Sequence, residues 1–460
     1  MTAVSHDDGQ SAHRTGEPAT GEPATGDAAT GHFMGGSSVT GGQEPTAPVR
    51  LRIPEPIAHT DLVAAAGTRC AAIAGEARRP ELDETAISVA SMRDHVIRVL
   101  DDDGNAVGPW AGALSRSELE AGLHDMMLVR SFDSRMLRAH RQGKISFYMQ
   151  CLGEEAIACA SQWALKPGDM NFPTYRQQGL LVSSDYPMVD MMNQILSNTH
   201  DPLLGRQLPV MYSSKEHRFF SISGNLATQF VQAVGWAMAA ALDGSDAIAS
   251  AWIGEGASAE SDFHSALVFA STYQAPVILN VVNNQWAIST PEDFARGAAA
   301  TFADRGLGFG IPSLRVDGND YLAVHAVTAW AAERARTGLG PTLIEWVTFR
   351  VGPHSTSDDP TGYRPDMAGQ FPLGDPIDRL RQHMVARGEW DDARQTELQE
   401  SVDQVVTKAF EEADSYGSVM RGDVSSAATM FDDVFATMPR NLVDQRAQFE
   451  RSQRSPNGGV

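Results

Sequence analysis

Two short stretches hold residue types that could do chemistry together. Gly254-Glu255-Gly256 closes the apolar run Ala247–Ile253, and Asn283-Asn284-Gln285-Trp286 closes the apolar run Val277–Val282, with residues 257 to 282 between the two motifs. Glu255 and the side-chain oxygen of Asn284 are hard oxygen donors, and the main-chain carbonyl of Trp286 adds a third. Mg²⁺ suits such a set, because it takes one or two carboxylates and completes its octahedron with substrate phosphates and water. Glycines on either side of Glu255 let the backbone come close to a bulky anion. The N-terminus of a following helix favours negative charge. The pair therefore points to a magnesium diphosphate site. Either half alone reads more readily as a plain turn or loop; their joint occurrence across one strand–helix–strand unit gives the chemistry its weight.

Those residues need elements that bring them to one place. Ala247–Ile253 and Val277–Val282 have the length and composition of buried strands, with a helix from Ser258 to about Tyr273 between them. A parallel crossover of that kind delivers Glu255 and Asn284 to the same sheet edge, where ligands bind in open α/β sheets. Leu314–Val316 and Leu343–Phe349 read as further strands and Tyr321–Arg336 as a further helix. Alternation of this sort predicts an α/β fold, a parallel sheet with helices on both faces. An amphipathic helix starts near Ser115, with Leu119, Leu123, Met126, Met127 and Val129 as its apolar positions, and Val96–Leu100 reads as a strand before a turn at Asp101–Asn105. Residues 1–48 are rich in Gly, Ala, Thr, Glu and Pro and repeat Gly-Glu-Pro-Ala-Thr at 16–20 and 21–25. They are expected to be a disordered tail, since they cannot bury enough apolar surface to offset chain entropy. An ordered extension over 49–114 comes next, then a cofactor-binding α/β domain over 115–374. A charged helical C-terminal region over 375–460 has Leu380, Met384, Leu398, Val402 and Val405 on its apolar side.

Composition removes whole classes of function. Of 460 residues 42% are hydrophobic, ample for a sizeable core, so wholesale disorder is excluded. With 58 Asp+Glu against 36 Lys+Arg, the net charge of −22 repels phosphate backbones, so no nucleic-acid partner is expected. Any phosphate must be gripped locally. Cys70, Cys151 and Cys159 have no metal-type spacing and fit a reducing compartment. No apolar stretch is long enough to span a membrane, so no membrane association is expected, and no secretory signal either.

Further runs narrow the chemistry. Phe147-Tyr148-Met149 with Gly153-Glu154-Glu155, Phe172-Pro173-Thr174-Tyr175-Arg176, Ser223 to Gln229, and His354-Ser355-Thr356-Ser357-Asp358-Asp359 occur in that order. Gly-Glu-Gly and the later Asn-Asn look like the thiamine-diphosphate motif, with Glu where Asp is commoner. Together these residues make the chain, from about residue 50 to 440, resemble the α subunits of the branched-chain 2-oxo acid dehydrogenases. The resemblance implies the thiamine-diphosphate-binding fold and oxidative decarboxylation of branched-chain 2-oxo acids such as 3-methyl-2-oxobutanoate. It implies acyl transfer to the lipoyl arm of a dihydrolipoyl acyltransferase. It also implies a heterotetramer of two α and two β chains in the bacterial cytoplasm, with the cofactor between α and β and its activating glutamate on β.

Residue roles come from the same resemblance. Glu255, Asn284 and the Trp286 carbonyl would hold Mg²⁺. Tyr175, Arg176, Gly224, Leu226, Gly256 and Ala257 would contact the cofactor, with Arg176 as its diphosphate clamp. His354 matches the active-site histidine, and an imidazole titrating near pH 6.5 suits proton transfer. Ser223, Thr228, Gln229 and the main chain of Asn225 match a potassium site of the animal enzymes. Three departures weaken the match: Val282 stands where the animal chains carry a diphosphate-binding Arg, Gly224 where they carry Ser, and Asn225 where they carry Pro. Ser355 matches a serine that a kinase phosphorylates in mammals, and regulation does not transfer from one serine. Plainer roles compete: Arg176 as a surface ion-pair partner, His354 as a solvated loop residue, Ser223 and Thr228 as caps of an apolar helix near Leu226. His217 and His264 read as structural, and Cys151 and Cys159 as core. Three other functions compete: a pyruvate or acetoin dehydrogenase α subunit, a catalytically silent scaffold subunit, and a Rossmann dehydrogenase. The last is disfavoured because Ala259 breaks the Gly-x-Gly-x-x-Gly fingerprint.

Overall fold

The structure, a computed structural model, describes residues 72–454 except 298, 300, 366 and 368. The tail expected over residues 1–48, the first part of the extension and Cys70 lie outside the described residues. Five parallel strands form the sheet: β1 (Met170–Phe172), β2 (Ala249–Gly254), β3 (Val277–Asn283), β4 (Ser313–Asp317) and β5 (Thr342–Val347), in the spatial order β1-β2-β3-β5-β4. Nearly every residue of β2, β3 and β5 is buried. That is why these strands read as unbroken apolar runs rather than as alternating ones: both faces are covered.

The two faces feed two separate cores. Trp252, Ile278, Val282, Ile344 and Trp346 point into one. The helices there are α1 (Arg116–Arg141), α2 (Glu155–Ala164), α3 (Met188–Leu196) and, from further along the chain, Tyr321–Arg336 and Asp392–Ser415. Ala249, Ala251, Ile253, Leu279, Val281 and Leu343 point into the other, under α4 (Thr228–Leu242) and α5 (Ser261–Tyr273). Helix α4 offers Phe230, Ala233, Val234 and Ala237, and α5 offers Phe263, Ala266, Leu267 and Ala270. Both sets have the i, i+3, i+4, i+7 spacing of a core-facing stripe. Helix α1 starts where Ser115 and Glu118 form a reciprocal capping box, satisfying two N-terminal donors.

Several elements differ from their sequence-based expectation, each for a local reason. The crossover from β2 does not enter a helix at Ser258: Glu255–Ala259 is a 3₁₀ turn, and Glu260 is extended (ψ 152°) before α5 begins. Ser258 Oγ donates to the Glu255 carbonyl at 2.5 Å, tying that turn to itself. Helix α4 begins at Thr228 rather than Leu226, because Ala227 sits in the left-handed region (φ 65°). Val96–Leu100 is not a ladder strand. Ile97 alone bridges Val316, and the Val99 and Leu100 N–H groups donate to one carboxylate oxygen of Asp320 at 2.8 and 2.6 Å. Asp320 also caps helix α6 (Tyr321–Arg336) by accepting from Ala323 N. Strand β1, only three residues long, carried no readable pattern.

The C-terminal region is helical: α7 (Pro376–Ala386), α8 (Asp392–Ser415) and α9 (Arg440–Arg454). Val402, Val406, Phe410 and Ala413 of α8 are buried in the first core, whereas Val405 is exposed. Among the described residues, no helix is long and apolar enough to cross a membrane.

Candidate functional site

Parallel strands end at one edge of the sheet, and β1, β2, β3 and β5 each hand a segment to the same cavity of about 340 Å³. Register fixes the geometry: Gly254 of β2 lies opposite Val282 of β3, so Glu255 and Asn284 come directly after, at adjacent carboxyl ends. Past β1 come Tyr175 and Arg176, and past β5 come Arg350 and His354. The β3 and β5 continuations stay paired, with Thr348 N donating to Asn283 O (2.9 Å) and Arg350 N to Asn284 O (3.2 Å). This is the edge where open parallel sheets take ligands. Tyr175, Arg176, Ser223, Asn225, Leu226, Gln229, Glu255, Gly256, Ala257, Asn284, Trp286 and His354 all line the cavity; Gly224 and Thr228 do not. Val282 lines it too, so no cation reaches in from that position.

Glu255 is 1% exposed and its Oε1 has no hydrogen-bond partner among the described residues. Burial, reinforced by the nearby Glu154 carboxylate, pushes its carboxyl up to about 8. Glu154 shares the cavity. Its Oε1 accepts from Asn284 Nδ2 at 2.8 Å and lies 3.8 Å from Arg176 Nε, while its Oε2 is buried and unpartnered among the described residues. Burial raises this carboxyl as well. Asn284 Oδ1 accepts from Trp286 N at 3.3 Å. Buried oxygens without donors are costly unless a cation or a proton meets them. Glu255 Oε1 is such an oxygen. It shares the cavity with Asn284, whose Oδ1 accepts only one long bond among the described residues, and with Trp286, whose carbonyl accepts from Arg350. A hard cation would suit the first and could share the other two. Among the described residues no group of three or more His, Cys, Asp or Glu side chains could hold a metal. A cation here must take its remaining oxygens from its ligand, as Mg²⁺ does with phosphates.

Gly256 matters for a reason other than anion approach. A Cβ there would stand 2.5 Å from the Ala287 Cβ, so only glycine lets the Glu255 turn pack against the segment after Asn284. Gly254, by contrast, would have nothing within 4 Å of an added Cβ, and it opens onto the cavity.

Arg176 is 4% exposed, so it is no surface ion-pair partner. Its Nη1 donates to Gln150 O, and its Nη2 donates to His354 O at 2.9 Å and approaches His354 Nδ1 at 3.3 Å. Arg350, which sequence inspection overlooked, reaches the same imidazole nitrogen at 3.3 Å with its Nη1. It also holds the loop after Asn284 by donating to Trp286 O (3.0 Å) and Ile288 O (2.7 Å). Two guanidinium donors at Nδ1 require that nitrogen to accept, so the ring proton sits on Nε2. Burial and the two cations push the His354 pKa down to about 3. The imidazole is therefore a neutral donor at pH 7, not the evenly titrating group its sequence setting suggests. Asp358 accepts from His354 N (2.7 Å) and from Tyr363 Oη (2.6 Å), fixing the loop.

Around Asn225, neither Ser223 nor Thr228 caps α4. Ser223 Oγ accepts from Asn225 N (3.1 Å), and Thr228 Oγ1 donates to Asn225 O (3.0 Å). Gln229 is buried with Oε1 unpartnered among the described residues, a further oxygen facing no donor. Of the residues missed, Glu154 was visible in Gly153-Glu154-Glu155. Arg350 could have been found by tracing the chain past the carboxyl end of every parallel strand.

Comparison with known proteins gives the same direction. Residues 124–420 match the model of the family described as dehydrogenase E1 component. The chain is 58% identical over 402 residues to the 2-oxoisovalerate dehydrogenase subunit alpha of Pseudomonas aeruginosa, covering 87% of this chain and 98% of that one. It is 39% identical over 360 residues to the mitochondrial 2-oxoisovalerate dehydrogenase subunit alpha of Mus musculus, covering 77% and 80%. It is 37% identical over 354 residues to subunit alpha 2 of Arabidopsis thaliana, covering 76% and 73%.

Proposed function

The chain belongs to the dehydrogenase E1 component family, and on that premise we propose that it is the α subunit of a branched-chain 2-oxo acid dehydrogenase. It acts with a β subunit on 3-methyl-2-oxobutanoate and related acids. The observation that carries the site is the convergence of Arg176, Glu255, Asn284 and His354 on one cavity, each from the end of a different strand. When bound, thiamine diphosphate supplies the electron sink for decarboxylation.

This chain's residues would hold its diphosphate end. Glu255, Asn284 and the Trp286 carbonyl would hold the Mg²⁺ that bridges to it. Arg176 and Arg350 give the cavity positive charge beside them. Tyr175, Leu226, Gly256 and Ala257 form walls. His354 keeps Nδ1 on the guanidinium pair and offers its Nε2–H to the reacting end of the 2-oxo acid. The potassium site draws on Ser223, Asn225, Thr228 and Gln229, with the unpartnered Gln229 oxygen in its favour. The assembly is a heterotetramer of two α and two β chains in the bacterial cytoplasm, delivering acyl groups to the lipoyl arm of a dihydrolipoyl acyltransferase. The domain plan is an α/β cofactor domain over 115–374 flanked by an extension and a helical C-terminal region.

The test is decarboxylation by this chain co-expressed with its β chain, with thiamine diphosphate, Mg²⁺ and an artificial electron acceptor. Turnover that needs both chains and prefers 3-methyl-2-oxobutanoate to pyruvate is expected. A preference for pyruvate would keep the mechanism and reassign the substrate, and a complex that binds no cofactor would sink the enzyme reading.

A further inference from the structure

Glu154 has no part in the cation set described above, yet it is the side chain that touches both its amide ligand and its arginine. We propose that Glu154 is the positioning residue of the cation site: it grips the Asn284 amide nitrogen so that the amide oxygen is the atom left for the cation. The inference rests on the reading of Glu255 and Asn284 as Mg²⁺ ligands.

Three observations carry it. Asn284 sits between an acceptor and a donor, with Nδ2 donating to Glu154 Oε1 at 2.8 Å and Oδ1 accepting from Trp286 N at 3.3 Å. Rotating the amide by half a turn would set its oxygen against the Glu154 carboxylate and its NH₂ against an N–H, so both neighbours select one orientation. The Trp286 contact alone is long, leaving the shorter Glu154 bond as the stronger constraint. Glu154 is also 1% exposed, and its Oε2 meets no donor among the described residues. Burying a carboxyl with half its acceptors unmet costs the fold several times what one hydrogen bond returns. A side chain serving packing alone would be apolar. Arg176 Nε, 3.8 Å from the same Oε1, ties the second ligand-facing group to this carboxylate. Outer groups that orient metal ligands in this way typically change metal affinity by about 10–100-fold when removed.

The experiment measures Mn²⁺ binding to the α/β complex with thiamine diphosphate present, from the electron paramagnetic resonance of free Mn²⁺. Glu154→Leu keeps the bulk and removes the acceptor, and should weaken Mn²⁺ binding by about tenfold or more. Glu154→Gln still offers an oxygen to Asn284 Nδ2 and should stay within about twofold of wild type. On an Asn284→Ala background, Glu154→Leu should cost nothing further, because the residue acts through that amide. A purely structural Glu154 would instead give additive losses. Wild-type affinity in Glu154→Leu, or a Gln variant as weak as the Leu variant, overturns the proposal. If Glu154→Leu fails to assemble, Glu154→Ala, which also removes the acceptor, carries the same two expectations, alone and on the Asn284→Ala background. Glu255→Ala is the reference: lost Mn²⁺ binding there upholds the cation site independently of Glu154, and retained binding removes the site and the proposal together.

Discussion

The central carboxyl and the central imidazole of this cavity are each held away from their ordinary ionisation, in opposite directions, and the consequences for pH differ in sign. Glu255 titrates near 4.5 when free and near 8 in the fold. Its folded form therefore keeps a proton that the unfolded chain has lost. The stability it contributes is whole below about pH 4.5 and is lost as pH rises through about 8. Glu255→Gln should remove that alkaline loss, leaving the cofactor-free variant more stable than wild type at pH 9 by roughly 1–3 kcal/mol in denaturant titration. The same substitution should weaken Mg²⁺-dependent cofactor binding. In the wild type, cation affinity should climb with pH and level off above about 8, because the cation must displace the Glu255 proton. His354 runs the other way. With a folded pKa near 3 against 6.5 when free, its contribution is present above pH 6.5 and is lost as pH falls through about 3. Its ring should show no protonation step between pH 5 and 8 in ¹⁵N NMR of the cofactor-free chain, with Nε2 carrying the proton. A midpoint near 6.5 would contradict the two-guanidinium geometry.

Elements matter here chiefly as devices for ending strands in the right place. Asp320 shows how much one residue can join: it caps α6 through Ala323 N and takes the Val99 and Leu100 N–H groups, at 0% exposure. Asp320→Ala should cost about 3 kcal/mol or more, since it removes a cap and leaves two buried donors unmet. Arg379 Nη2 also lies 3.4 Å from the same carboxylate, so Asp320→Asn should recover part of that loss, and equal loss in both would mean that the charge facing Arg379 is what counts. Gly256→Ala tests the Glu255 turn. With a Cβ 2.5 Å from the Ala287 Cβ, the turn and the Trp286 segment must separate. Cofactor affinity should therefore fall about tenfold or more although no donor is removed, measured by calorimetry on the α/β complex. The strands β2, β3 and β5 and the helix α6 were legible because burial on both faces writes itself as apolar runs and stripes. Glu255 and Asn284 were legible for the same reason, standing directly after such runs. Strand β1 was not, being three residues long, and Val96–Leu100 misled because only Ile97 makes backbone bonds to the β4 edge, while the Val99 and Leu100 donors go to a carboxylate 220 or so residues away. Arg350 was hidden because an arginine past a strand has no local signature. Its importance arises only when Trp286, Ile288 and His354 converge on it in space.

At the scale of the whole molecule, the cavity has one side that the described residues leave open. Apolar side chains stand exposed at or near its mouth, with Leu226 51% and Ile288 54% exposed, and Ile288 is held at φ 55° by the turn that Arg350 clamps. A β-branched residue kept in the left-handed region and facing solvent is unfavourable twice over, in backbone strain and in apolar exposure. Both costs are offset if a second chain buries that rim. The resemblance to the branched-chain α subunits implies the same: on the proposed reading this side of the cavity would hold a cation and a diphosphate, and the glutamate that activates the cofactor is expected on the β chain. The chain alone should therefore bind the cofactor weakly and turn nothing over, and adding the β chain should tighten cofactor binding while restoring decarboxylation. Ile288→Asp places a charge on the rim without touching a ligand of the cation. It should weaken α/β association at least about tenfold in sedimentation velocity, the scale of a buried unpaired charge. Cofactor affinity should fall in step with the loss of complex. Association unchanged in that variant would mean that the β chain docks elsewhere.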